Sequence, residues 1–211
     1  FEEIEKKVPV DFLSREWFIF EKGFDLFRNP LGLRTKRILD LILALILLFF
    51  TWPIILLFAI LIKLESRGPA FYSQVRTGLN DREFTIYKMR SMVTDAEKQG
   101  AQWAKSNDSR ITRIGKFIRL TRIDELPQLW NVIKGDMSFI GPRPERPEFN
   151  VELEKQIPFF RLRHLVRPGI TGWAQVMYAY GASVEDSKQK LQFDLYYIKN
   201  FSFLLDIQIV F

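Results

Sequence analysis

The sequence predicts an α-rich α/β protein: a membrane-embedded apolar segment followed by a small globular domain with short strands and amphipathic surface helices. Three observations predict it. An unbroken apolar run covers Ile38 to Ile62. Two short β-rich runs flank the turn GLND, residues 78–81. Several helix-period segments with start and stop signals then follow as far as the C-terminal end.

The 211 residues suffice for one domain with an arm, and 47% apolar against 27% charged residues excludes a disordered chain. A formal charge of +6 favours anionic partners such as phosphates, nucleic acid or an anionic leaflet. The absence of cysteine removes disulfides, thiolate zinc sites and thiol nucleophiles. With one histidine, His164, a multi-histidine metal site is excluded as well. Any metal must be held by carboxylates, which points to magnesium or manganese.

The apolar run ILDLILALILLFFTWPIILLFAILI is long enough to span a bilayer with some tilt. Its flanks are basic on both sides, Arg34, Lys36 and Arg37 before it and Lys63 and Arg67 after it, so the usual bias of cations toward one side is missing. Pro53 lacks an N–H and its ring opposes the preceding turn, and Trp52 is pushed away from helical geometry. Each half alone, about 15 residues, reaches roughly 22 Å, short of the ~30 Å core. One reading is a re-entrant helix–break–helix over residues 35–67, turning at Trp52–Pro53 so that both flanks lie at the cytoplasmic surface. The other is a kinked spanning helix, since neighbouring groups make proline tolerable in membranes. A soluble, buried hairpin is a third, weaker fit.

Residues 1–34 read as an arm, with Trp17, Phe18, Phe20, Phe24 and Phe27 suited to a membrane surface, a neighbouring domain or ordinary core packing. Residues 68–211 form the globular domain. Thr94 to Lys105 reads as a helix. Thr112 is a candidate cap for a basic helix in which Arg113, Lys116, Arg119 and Arg122 recur every third residue. A second helix should open near Pro127 and stop at Gly135. GPRPERPE is a stiff loop, and residues 151–164 look helical with Pro158 interrupting. Glu185 to Asn200 reads as another helix.

Asp124 and Glu125 fall at a helix opening, where the dipole, Arg119 and Arg122 all favour ionised carboxylates. An ionised, positioned carboxylate can attack phosphorus, and a neighbour pointing elsewhere can hold a divalent cation. Acidic residues also cap helices without further purpose, and an isolated Asp-Glu supports that plainer reading. Basic groups elsewhere shift the balance: Arg76, Lys88, Arg90, Arg119, and Arg143 and Arg167 in the turns GPRP and RPG. Arginine's planar fork suits phosphate. His164 fits a packed, hydrogen-bonded role better than that of a base.

KRILDLILALILLFFTWPIILL, YSQVRTGL, FTIYKMRSM, TRIDELPQLWNVIKGDMSFIGPRP and VRPGITGWAQV together resemble the bacterial sugar transferases, the monotopic polyprenyl-phosphate hexose-1-phosphate transferases. The resemblance runs from Arg34 to the last residue in the same order. It implies transfer of a hexose-1-phosphate from a UDP-sugar to polyprenyl (undecaprenyl) phosphate with release of UMP. Asp124 would form a covalent phosphosugar intermediate, and Glu125 would bind Mg²⁺. Lys88, Arg119, Arg143 and Arg167 would hold phosphates. The resemblance favours the re-entrant hairpin and a place at the cytoplasmic face of the bacterial inner membrane, in the first membrane step of exopolysaccharide or O-antigen-type assembly. Partners implied are the UDP-sugar, the polyprenyl phosphate and membrane lipids, with no nucleic acid; self-association is left open. Residues 1–34 resemble the linker of long members, which carry a further N-terminal membrane and nucleotide-fold-like region. Trp52 stands where members often have serine, Thr77 where proline is frequent, and Arg122 where some have serine. The alternative is a non-catalytic single-pass scaffold of a polysaccharide assembly complex.

Overall fold

The computed structural model describes residues 2–13, 30–96, 108–179, 181 and 183–211. The aromatic cluster of the arm and most of the helix expected at Thr94–Lys105 lie outside the described residues; Thr94 to Ala96 form a turn. The chain forms two compact units, residues 1–40, 75–84 and 135–211 in one and residues 41–74 and 85–134 in the other.

After a single-turn helix α1 (Glu2–Glu5), the dominant element is α2 (Pro30–Glu65), a helix of 36 residues that passes through Pro53 without interruption. The break expected at Trp52–Pro53 therefore does not end the helix. Proline costs the Phe49 carbonyl its partner, yet apolar side chains offer the neighbouring backbone groups no alternative, so they keep their helical bonds. The Thr51 hydroxyl donates to the Leu47 carbonyl at 2.7 Å, a bond that keeps a polar side chain satisfied inside the helix. Among the described residues α2 is the helix long and apolar enough to cross a membrane. Its middle is bare: Phe49, Phe50, Trp52, Leu56 and Leu57 are all more than half exposed.

The larger unit has the main core. It gathers Ile140 from strand β3 (Ser138–Ile140), Leu153 from α5 (Pro147–Gln156) and Phe160 from the 3₁₀ turn Phe160–Leu165. Trp173 of α6 (Trp173–Met177), Leu191 and Tyr197 of α7 (Val184–Lys199) and Leu205 of α8 (Phe203–Val210) complete it. Helix α7 starts one residue before the expected position because Ser183 and Asp186 form a reciprocal capping box. Helix α5 starts inside the proline-rich loop, with Pro147 at its first turn, where the missing N–H costs nothing. Strand β3 pairs in parallel with β4 (Gly169–Thr171), Ser138 opposite Gly169 and Ile140 opposite Thr171.

The smaller unit packs Ile55, Phe58, Ala59 and Ile62 of α2 against Met89, Ile114, Ile118 and Ile123. Phe58 stacks on Phe117 at 5.7 Å between ring centroids. The two β-rich runs form a hairpin of β1 (Phe71–Thr77) and β2 (Glu83–Met89), which pair with each other. Its turn places Asn80 and Asp81 in left-handed geometry, at φ 53° and 60°, a conformation these two residue types tolerate. Thr112 caps the basic helix α3 (Arg113–Leu120) by accepting from the Gly115 N–H at 2.9 Å. Helix α4 (Gln128–Lys134) ends at Gly135, whose φ of +95° terminates it as expected.

Candidate active site

Asp124 and Glu125 occupy a 3₁₀ turn, Ile123–Glu125, between α3 and α4. The expectation placed them directly at a helix start; the turn intervenes because Arg122 adopts left-handed geometry (φ 60°) and redirects the chain. Ile123 anchors the turn on the Ile62–Met89–Ile118 cluster. Both carboxylates are buried, at 8% and 7% exposure. From β2, Lys88 donates to Glu125 Oε1 at 2.8 Å. Strand and helix are held in register by Asn131, which is fully buried on α4. Its amide donates to the Thr85 carbonyl at 2.7 Å and its Oδ1 accepts from the Tyr87 N–H at 3.2 Å. One side chain thus fixes the backbone on both sides of Thr85–Tyr87, next to Lys88.

Asp124 Oδ1 is buried and has no hydrogen-bond partner among the described residues. Burial pushes the Asp124 carboxyl above its ordinary value, and the Glu125 charge adds to this; Lys88, Arg119 and Arg122 pull the other way without cancelling it. Sequence reasoning weighed the cations and the dipole and not the desolvation, which dominates here. The result is a carboxylate more basic than usual with an unsatisfied buried oxygen, a group that once ionised can act as a nucleophile.

Lys88, Arg119, Asp124 and Glu125 therefore share the smaller unit. Arg143 and Arg167 lie in the larger unit, where strand pairing brings their turns side by side. The Gly141 N–H donates to the Thr171 carbonyl at 3.0 Å and the Gly169 N–H to the Pro142 carbonyl at 2.9 Å. Glycine is required here: a methyl group at Gly172 would overlap the Gly141 carbonyl oxygen, and one at Gly169 the Gly141 nitrogen. The Arg167 Nε donates to the Gly135 carbonyl at 3.0 Å. A cavity of about 140 Å³ beside it is lined by Lys36, Arg37, Asp40, Ile140, Arg167 and Tyr197, among others.

Of the other basic residues singled out in the sequence, Arg90 has a structural task. It is buried and donates to the Ser66 and Arg67 carbonyls at 2.8 and 2.7 Å, closing the C-terminal end of α2. Arg76 donates to the Pro144 carbonyl at 3.0 Å. His164 is packed and hydrogen-bonded, its Nδ1 2.6 Å from Asp81 Oδ1, and burial lowers its pKa. Asp81, Glu154 and His164 offer ligand atoms within 4.8 Å of one another, a group that could hold a divalent metal. Arg161 already pairs with both of its carboxylates.

A family model described as bacterial sugar transferase matches residues 31–211. The chain belongs to the bacterial sugar transferase family. All the residues proposed for chemistry fall within the matched part. Among curated relatives it is 51% identical over 186 residues to the UDP-N-acetylgalactosamine-undecaprenyl-phosphate N-acetylgalactosaminephosphotransferase of Aeromonas hydrophila, covering 88% of this chain and 44% of that one. It is 47% identical to the UDP-glucose:undecaprenyl-phosphate glucose-1-phosphate transferase of Xanthomonas campestris pv. campestris, over 83% of this chain and 37% of the other. To the transferase of the same name from Caulobacter vibrioides it is 40% identical, over 97% and 78%. This bacterial sugar transferase chain thus spans less than half the length of the first two.

Asn131 carried no sequence signal, because a buried asparagine on a short helix reads like any polar helix residue. The ion pair of Arg163 with Asp194 was also missed; partners 31 positions apart share no period.

Proposed function

We propose that the protein transfers a sugar-1-phosphate from a UDP-sugar to undecaprenyl phosphate and releases UMP, at the cytoplasmic face of the inner membrane. The observation that carries this reading is the buried Asp124 carboxylate with an orphaned oxygen, flanked by the Glu125–Lys88 pair and by Arg119 and Arg122. The relatives' printed activities supply the substrate class.

In the first step an Asp124 oxygen bonds to the sugar-bearing phosphorus, the bond from that phosphorus to the bridging oxygen breaks, and UMP leaves with the electron pair. In the second step a phosphate oxygen of the lipid attacks the same phosphorus. The aspartyl–phosphorus bond breaks, the carboxylate is restored, and a lipid diphosphate sugar departs. Lys88, Arg119, Arg143 and Arg167 hold phosphate oxygens through these steps, arginine by its paired donors. Carboxylate oxygens suit Mg²⁺, which takes few protein ligands and completes its shell with water and substrate phosphate. Two adjacent buried carboxylates, Asp124 and Glu125, give a donor set that fits that ion. Glu125 would hold it, and when bound it supplies charge neutralisation for the diphosphate. The Asp81–Glu154–His164 group also offers ligands for a divalent ion, with Arg161 as its counter-cation as Lys88 is for Glu125.

Residues 35–67 serve as a re-entrant membrane segment, residues 68–211 as the catalytic domain and residues 1–34 as an arm from a preceding region. Support for re-entry comes from the cations on both flanks, the proline at mid-helix and the bare apolar middle of α2. The uninterrupted helix favours the rival reading, a single-pass anchor carrying a scaffold. UMP release measured across a panel of UDP-sugars, with and without undecaprenyl phosphate, tests the activity. Lipid-dependent turnover with at least one donor is expected; no release with any donor would leave the scaffold reading.

A further inference from the structure

The loop that carries Arg143 is held unusually tightly. Four successive carbonyls, from Pro142 to Glu145, each accept a hydrogen bond from elsewhere in the larger unit, two of them from the end of β1. The Gly169 N–H bonds Pro142, the Arg163 guanidinium bonds Arg143 at 3.0 Å, Arg76 bonds Pro144 at 3.0 Å, and the Thr77 N–H bonds Glu145 at 3.0 Å. Pro142 and Pro144 fix φ on either side of Arg143 and contribute no donors of their own. Two of the four tethers are arginine side chains, and one of them is buried at cost. Arg163 and Asp194 are 6% and 1% exposed and pair at 2.8 Å. A buried ion pair is rarely the most stable filling for such a space, since apolar residues of equal volume often serve better. Its second guanidinium contact, to the Arg143 carbonyl, gives a reason for it to be there.

We infer that Arg163, held by Asp194, is a positioning residue that fixes the Arg143 backbone and so aims the Arg143 guanidinium at a substrate phosphate. The inference rests on the reading of Arg143 as a phosphate-holding group. A side chain on a loose loop loses orientation, and misplacement by a fraction of an ångström is enough to weaken a charge clamp.

The test is a double-mutant cycle on the full chain in lipid nanodiscs, using the UDP-sugar that gives the fastest UMP release in the panel above. Arg163→Met is expected to raise the donor KM roughly tenfold, with kcat changed less. In an Arg143→Ala background the same substitution is expected to leave the donor KM within about twofold, because the group it positions is gone. Asp194→Asn, which keeps the volume, is expected to raise KM in the same direction and carries the test if Arg163→Met does not fold. Equal effects in both backgrounds, or an unchanged donor KM in Arg163→Met and Asp194→Asn, would overturn the positioning role while leaving Arg143 in place. A wild-type donor KM in Arg143→Ala alone would overturn the phosphate reading and the inference with it.

Discussion

At Asp124 two demands oppose each other. In the role proposed for it Asp124 must be ionised, yet burial raises its pKa above the ordinary 3.8. A group with a raised pKa loses its charge as pH falls through that higher value, so the acid limb of kcat/KM should lie above the ordinary aspartate range. Lys88→Met removes a cation that lowers this pKa and should move the limb to higher pH; a limb that stays in place would separate Lys88 from Asp124. Asp124→Asn should cut turnover by roughly three orders of magnitude or more with little change in melting temperature. Glu125→Gln should weaken the response to magnesium, and an unchanged magnesium titration would remove it from the metal.

Among the elements, α3 shows how closely one helix can sit on its neighbour. A methyl group at Gly115 would overlap the Ser91 carbonyl oxygen, a backbone atom that cannot swing aside. Gly115→Ala should therefore destabilise by about 2 kcal/mol or more, although alanine is the better helix former; a neutral change in melting temperature would show that the contact yields. Helix α7 adds a pH effect. Asp194 is pushed up to about 6 by burial, against an ordinary 3.8. The folded state then holds a proton that the unfolded state releases between these values, so stability falls as pH rises through that window. Relative to Asp194→Asn, the wild type should lose about 3 kcal/mol between pH 4 and 6.5. Thermal melting of both proteins across that range reads the difference. The elements themselves were largely legible. The Thr112 cap, the Gly135 stop, the hairpin around GLND and the start of α7 within one residue all come from local chemistry that one stretch of chain contains. Burial at Asp124 and the tethers around Arg143 depend on distant segments and could not be read from spacing. At Pro53 the sequence left a re-entrant break and a tolerated kink both open, because proline's cost depends on what else can satisfy the freed backbone groups; the helix runs through it unbroken.

For the whole molecule, cysteine labelling decides which way α2 lies in the bilayer. Single cysteines at Thr35 and Ser66 flank the apolar run. Re-entry predicts that an impermeant maleimide labels both from the same side of oriented vesicles; labelling from opposite sides would establish a span. The turn that carries Asp124 joins α3 to α4 and rests through Ile123 on Ile62 of α2, so the lie of α2 also sets where Asp124 stands. The account stands on the covalent step. Incubate the protein with its UDP-sugar and no lipid acceptor, quench in acid, and measure the mass of the peptide holding Asp124. The account predicts an added sugar-phosphate on that residue, lost when undecaprenyl phosphate is supplied. Lipid-linked product formed at full rate with no such adduct, and by Asp124→Asn as well, would contradict it.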